Sequence, residues 1–174
     1  MKLKITKHAT IFICLAIISA ATGRPSQARA AVTDQDKQFL TMAAQSDFNE
    51  IQLSKLAETK ATNPQVKAFA HKMVADHTAL EAKMKPFATA WGLTPPTALD
   101  ADHQAIYDKL NTLSGADFDK EYMDAMVTDH HKALDAFTQE ADTTTDAKFK
   151  AAVMSGKSVV AAHTSMADDL KAKL

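Results

Sequence analysis

Apolar residues recur at three- and four-residue spacing through four long stretches of the chain, the period of an α-helix with one face turned to a core. In the first, over about residues 34–61, Phe39, Ala43, Ser46, Glu50, Leu53 and Ala57 trace one face. Thr33 precedes it with Asp36 three residues on, the spacing of a capping box. Asn63 caps the second stretch, and Pro64 takes its first position, where a missing N–H costs nothing. Its face reads Val66, Phe69, Met73, His77, Leu80, Met84, Phe87 and Trp91, and Gly92 ends it. Pro86 inside this run predicts a kink or an irregular last turn. Residues 93–99, with Pro95-Pro96, read as a crossover loop, followed by a short helix over residues 101–113 closed by Ser114-Gly115. The next long helix runs over about residues 117–141, with Met123, Met126, His130, Ala133 and Phe137 inward. After the polar turn 142–146, the last runs to about Lys171 with Phe149, Val153, Gly156, Val160, His163, Met166 and Leu170 inward. Gly156 on that face predicts a close helix–helix contact.

Four long amphipathic helices with one long connection between the second and third predict an all-α fold. The expected architecture is a ferritin-like four-helix bundle with a short extra helix in the long crossover. Composition agrees: glycine and proline are scarce and sit at helix edges, while alanine, leucine, lysine and methionine are plentiful.

The first 30 residues read as something else. Lys2, Lys4 and Lys7 form a basic start, residues 9–21 are an apolar run too short to span a bilayer comfortably, and Ala28-Arg29-Ala30 offers a small-x-small cleavage site. The expectation is a cleaved secretory signal peptide over residues 1–30 and a single domain over residues 31–174. Cys14, the only cysteine, follows Ile13 where a lipoprotein signal needs a small residue, so no lipid anchor is expected. Beyond residue 30 there is no cysteine for a disulfide, a thiolate ligand or a nucleophile. Both arginines also fall in the leader. The remainder carries 15 lysines against 21 acidic residues, a net charge of −6, which disfavours nucleic acid as a partner. No later segment is apolar enough to cross a membrane.

The candidate chemistry lies in a near-repeat. Met73-Val74-Ala75-Asp76-His77 recurs as Met126-Val127-Thr128-Asp129-His130, with the histidine on the apolar face each time. His163 occupies the same kind of position on the last helix and Glu50 on the first. Each long helix thus turns one metal-capable side chain inward, the way bundle metal sites are built. Imidazole with carboxylate suits a transition metal such as iron, copper or zinc. Glu81, one turn after His77, is a secondary candidate. So are the thioethers of Met73, Met126 and Met166, which would favour Cu(I). A di-iron centre needs Glu-x-x-His pairs, but the residues three before the histidines are Val74, Val127 and Val160. Asp76 and Asp129 point about 100° away from the histidines they precede, toward an outer shell, lysines or water. His71, His103 and His131 read as exposed and incidental. The alternative to a metal is a buried hydrogen-bond cluster. Nucleophile chemistry has no support: no Gly-x-Ser-x-Gly elbow occurs, and Ser155-Gly156-Lys157-Ser158 lacks the strand and first glycine of a phosphate loop.

Several of these motifs occur together: Glu50-Ile51, Phe69-Ala70-x-x-Met73-Val74-x-Asp76-His77, Tyr122, Met126-Val127-x-Asp129-His130, Phe137 and His163. In this the chain resembles the periplasmic ferritin-like family catalogued as domain of unknown function 4142, over about residues 36–170. Members are often labelled predicted outer membrane proteins. The resemblance implies a four-helix bundle exported to the bacterial envelope, with His77, His130 and His163 in the positions of the recurrent histidines. Relatives often carry a proline before the final histidine, where this chain has Ser155-Gly156-Lys157-Ser158. No transmembrane strand pattern accompanies the label, so the expected location is the periplasm, either soluble or peripherally attached to the envelope or outer membrane. Three roles are compatible with these residues: sequestration of a metal or small ligand in stress protection, a non-catalytic structural or interaction protein, and a metal-dependent oxidoreductase by fold analogy.

Overall fold

The computed structural model describes residues 31–174; the expected signal peptide, its cleavage site and Cys14 lie outside the described residues. Five helices form the structure: α1 (Asp34–Lys60), α2 (Pro64–Ala90), α3 (Ala101–Thr112), α4 (Gly115–Thr143) and α5 (Ala147–Lys171). No strand occurs among the described residues. The local signals act as their chemistry dictates. Thr33 and Asp36 close a reciprocal capping box on α1, and the Asn63 side chain accepts the Gln65 N–H at the start of α2. The Asp100 and Asp146 carboxylates cap α3 and α5 in the same way.

One helix differs from expectation at its ends. α4 begins at Gly115, where a φ of +59° favours glycine, and it continues to Thr143. α2 keeps Pro86 within its last turns and ends at Ala90, before Gly92 turns the chain at φ +69° as the sequence predicts.

Side-chain pairings give the topology. His77 of α2 meets Asp47 and Glu50 of α1, and His71 meets Glu58, so α1 and α2 run antiparallel. Gln35 reaches Glu140 and Ser54 reaches Tyr122, so α1 and α4 are antiparallel as well. It follows that α2 and α4 run parallel, and the connection between them must travel the length of the bundle. That connection carries α3 back beside α1 and α4, where Lys60 donates to the Leu110 carbonyl at 2.9 Å and Asn49 donates to Asp100 at 2.7 Å. This is the up-down connectivity with one long crossover that the helix pattern predicts.

The turn between α1 and α2 is pinned from α4. Buried Asp119 accepts the backbone N–H groups of Thr62 and Asn63 and the Thr62 hydroxyl, at 2.7–3.0 Å.

The core is divided in two. One apolar cluster gathers Leu53, Phe69, Met73, Leu110, Phe118, Tyr122 and Met126. The other gathers Phe39, Leu80, Phe137, Phe149, Val153 and Val160. Gly156 lets α5 close on its neighbours: a Cβ there would stand 2.5 Å from Phe137 Cε1 and 3.1 Å from Leu80 Cδ1. Between the clusters in sequence, on every long helix, lie the inward polar residues.

Candidate metal centre

Glu50, His77, His130 and His163 are each no more than 2% exposed. They meet. The ring centroids of the three histidines form a near-equilateral triangle with sides of 5.1, 5.4 and 5.6 Å. One ring nitrogen from each lies within 4.8 Å of the others. Glu50 Oε2 stands 2.7 Å from His77 Nε2 and 3.4 Å from His130 Nε2.

Each histidine is held by its other nitrogen. His77 Nδ1 lies 2.8 Å from Asp47 Oδ1, His163 Nε2 lies 2.8 Å from Asp76 Oδ2, and His130 Nδ1–H donates to the Met126 carbonyl at 2.8 Å. The nitrogens without a hydrogen-bond partner are His77 Nε2, His130 Nε2 and His163 Nδ1, and Glu50 Oε2 is likewise unpartnered. The close Glu50–His77 approach is therefore ionic: the oxygen sits near the ring nitrogen but off the line along which an N–H would donate. Buried polar atoms without partners are rare and expensive. Four of them share one place, and the three histidines among them form a group that could hold a metal ion.

The electrostatics agree. Burial would lower His77, but Glu50 and Asp47 on either side lift it to about 10. Burial raises Asp47 to about 6 despite His77. Burial would also raise Glu50, but the charges of His77 and His130 hold it down at about 2. His163 is pushed down to about 4 by burial, against the pull of Asp76. Glu50 is thus a carboxylate whose nearest counter-charge is the proton on His77, while His163 is neutral and keeps a lone pair on its free nitrogen.

The donors fit a transition-metal ion. Metal–nitrogen and metal–oxygen bonds of about 2.0–2.2 Å set neighbouring donors roughly 3.0–3.5 Å apart. The Glu50–His130 spacing of 3.4 Å falls in that range, the Glu50–His77 spacing of 2.7 Å is shorter, and the three histidine nitrogens lie within 4.8 Å of one another. Three imidazoles with one carboxylate suit Zn, Fe, Cu(II) or Ni. A carboxylate or carbonyl on the far side of each ligating histidine is the usual orienting arrangement.

The secondary candidates separate. Glu81 is exposed, because one turn along α2 carries it past the edge of the inward face. Met73 and Met126 are fully buried in the apolar cluster around Tyr122, and Met166 is half-buried against it. Asp76 takes the outer position expected of it, paired with His163 and with Lys72 at 2.8 Å. Asp129 reaches instead to His103, 3.2 Å away. His71 and His131 are exposed as expected, but His103 is half-buried between two carboxylates. Asp47 was missed by sequence reasoning, although it stands three residues before Glu50 and so on the same helical face.

A cavity of about 640 Å³ opens between α1, α3 and α4, and its lining includes Asp47, Glu50 and His77. The cavity thus borders the centre on the side of Glu50 and His77, while His130 and His163 lie behind them, off its lining.

The family model described as "Domain of unknown function (DUF4142)" matches residues 21–170. No curated protein matches the chain. Among solved structures, a DUF305 fragment from Deinococcus radiodurans superposes with a TM-score of 0.72 at 15% identity, covering 82% of this chain and 98% of that one. The Cu(II)-bound form of CopM superposes with a TM-score of 0.67 at 19% identity, over 79% of this chain and 96% of that one. For the Cu(I)-bound form of CopM the TM-score is 0.65 at 22% identity, over 80% and 95%. At such identities the likeness is one of fold.

Proposed function

The chain belongs to the DUF4142 family, and on that premise we propose that it binds one transition-metal ion in the centre of the bundle. Glu50, His77, His130 and His163 would be the ligands, and the role is sequestration in the bacterial envelope as part of stress protection. The observation that carries the reading is the convergence of three buried ring nitrogens, none with a hydrogen-bond partner, on the Glu50 carboxylate oxygen that stands in ionic contact with two of them, each ring oriented from behind. When bound, the ion supplies the positive charge that Glu50 otherwise draws from a proton on His77. Asp47, Asp76 and the Met126 carbonyl keep the rings aimed inward, and the apolar clusters on either side hold water away.

Two observations favour storage over turnover. Four protein donors would close the shell of a four-coordinate ion, whereas a catalytic ion keeps a position open. The valines three before each histidine also remove the carboxylates of a di-iron oxidase. Copper gains weight from CopM, which shares the fold and is known in Cu(I)- and Cu(II)-bound forms. Soft thioether ligation by Met73 or Met126 is not needed for Cu(II), which accepts imidazole and carboxylate.

The experiment is elemental analysis of untagged protein purified from the periplasm, beside a His77→Ala/His130→Ala/His163→Ala variant. One equivalent of metal, absent from the variant, supports the reading. A metal-free protein that refuses added iron, copper and zinc overturns it in favour of a buried ion-pair cluster built on Asp47, His77 and Glu50.

A further inference from the structure

The outer part of the same cavity holds a second imidazole–carboxylate cluster. His103, on α3, has Nδ1 2.7 Å from Asp100 Oδ1 and Nε2 3.2 Å from Asp129 Oδ2. Asn49 steadies Asp100, donating to its Oδ2 at 2.7 Å. All four residues line the cavity that also reaches Asp47, Glu50 and His77.

We propose that His103 Nε2 and the Asp129 carboxylate bind a divalent transition-metal ion at the outer wall of this cavity, as the station from which an ion passes to Glu50 and His77. The station is a site in its own right; the onward passage rests on the bundle reading above.

Three observations carry it. First, the donor spacing fits: 3.2 Å between Nε2 and Oδ2 falls within the roughly 3.0–3.5 Å edge expected of donors about 2.1 Å from one ion. Second, the ring is already oriented. Asp100 holds Nδ1, so the nitrogen facing Asp129 is the one that would ligate, an ion taking the place of the proton now between Nε2 and Asp129, with the same carboxylate–histidine arrangement seen at His77 and His163. Third, the cavity wall is acidic at this point. Four carboxylates, those of Asp47, Glu50, Asp100 and Asp129, line it against Lys37 and Lys132. Two protein donors leave the rest of the shell to water from the open cavity. Such an ion exchanges readily, as a station requires and a store does not.

The chain also links the two sites. Asp129 is adjacent to His130 and Asn49 to Glu50, so the outer cluster is built on the same turns of α4 and α1 as the inner one.

The test is a Cu(II) titration of the protein carrying His77→Ala, His130→Ala and His163→Ala, with exposed His71 and His131 also replaced by Ala. Paramagnetic broadening of backbone amide signals locates the ion. Broadening centred on residues 100–103 and 129, abolished by adding His103→Ala, is the expected result. Binding that does not depend on His103 overturns the proposal and leaves the cluster an ion-pair latch. Should circular dichroism show that variant unfolded, the protein with only His103→Ala is compared with the parent, and the loss of one equivalent of Cu(II) is expected. Equal content overturns the proposal. The onward passage is read by stopped-flow loading. His103→Ala should slow filling of the bundle about tenfold, the lower end of electrostatic steering, with final bundle content unchanged. Equal or faster loading overturns the passage. A parent protein that binds only the His103-dependent ion would remove the bundle reading and keep this one.

Discussion

Glu50 of α1 and His77 of α2 bring Oε2 and Nε2 to 2.7 Å in a place where neither side chain is more than 3% exposed. The two helices are joined by a short turn, and the pair stands well away from that turn, in the middle of the bundle. A charge pair so deeply buried is costly to assemble and more costly to break.

Replacing Glu50 by Ala removes the only carboxylate beside His77 and His130 other than Asp47, and strands the proton on His77. Breaking a buried pair from one side costs about 3–5 kcal/mol. Urea denaturation of metal-free protein should show a loss in that range. A loss below about 1 kcal/mol, the value of an exposed pair, would mean that the charges are not paired in the folded state.

Asp76 orients His163 from behind without reaching the inner face. Asp76→Asn should weaken metal binding about 10- to 100-fold, the usual effect of removing an orienting carboxylate, while leaving one equivalent at saturation. Competition against a chelator of known affinity reads the first quantity and elemental analysis the second.

At Gly156 two effects oppose each other. Alanine gains up to about 1 kcal/mol of helix propensity, but its Cβ would stand 2.5 Å from Phe137 Cε1. That ring is itself held edge-on by Phe39 at a centroid distance of 4.9 Å. Overpacking of this kind costs about 1–3 kcal/mol, so Gly156→Ala should lower stability by about 1 kcal/mol net. Thermal unfolding should show a fall of about 2–4 °C for a domain of this size, and adding Phe137→Leu should restore most of it.

Glu140 lies buried at the end of the bundle beside Asp36, and burial with that neighbouring carboxylate raises it to about 7 while Asp36 is lowered. The folded state therefore holds a proton on Glu140 that the unfolded chain releases near pH 4.5. Between about pH 4.5 and 7 the native state binds more protons, so this group's contribution to stability falls as pH rises and is flat above that window. Glu140→Gln mimics the protonated form. Its stability should match the parent near pH 5 and exceed it at pH 7.5, and denaturant midpoints at both values check this. A difference that does not change with pH would refute the shared proton.

Much of this protein could be read along the chain. Three- and four-residue spacing depends only on helix geometry, so the inward faces and the four polar residues on them followed directly from residue order. The caps at Thr33 and Asn63 are equally local. So is the need for a long crossover, once four helices and their loop lengths were in hand.

What periodicity does not carry is register. It says which side of a helix a histidine occupies, not how high along its partner that histidine stands. Whether His77, His130 and His163 meet was decided by the sliding of α2, α4 and α5 against one another, and the packing of apolar residues on both sides of the polar layer sets that sliding. Long-range pairs were invisible for the same reason: Asp119 with the turn at Thr62 and Asn63, Asp76 with His163, and Asp129 with His103 lie at least 26 residues apart in sequence. His103 shows the distinction most clearly. On α3 alone it faces outward, and it becomes half-buried only because the crossover lays α3 along α1 and α4. Composition and spacing determined an all-helical bundle with one metal-capable side chain on each long helix; tertiary packing alone decided that those side chains share a centre, because only packing sets the heights at which separate helices stand.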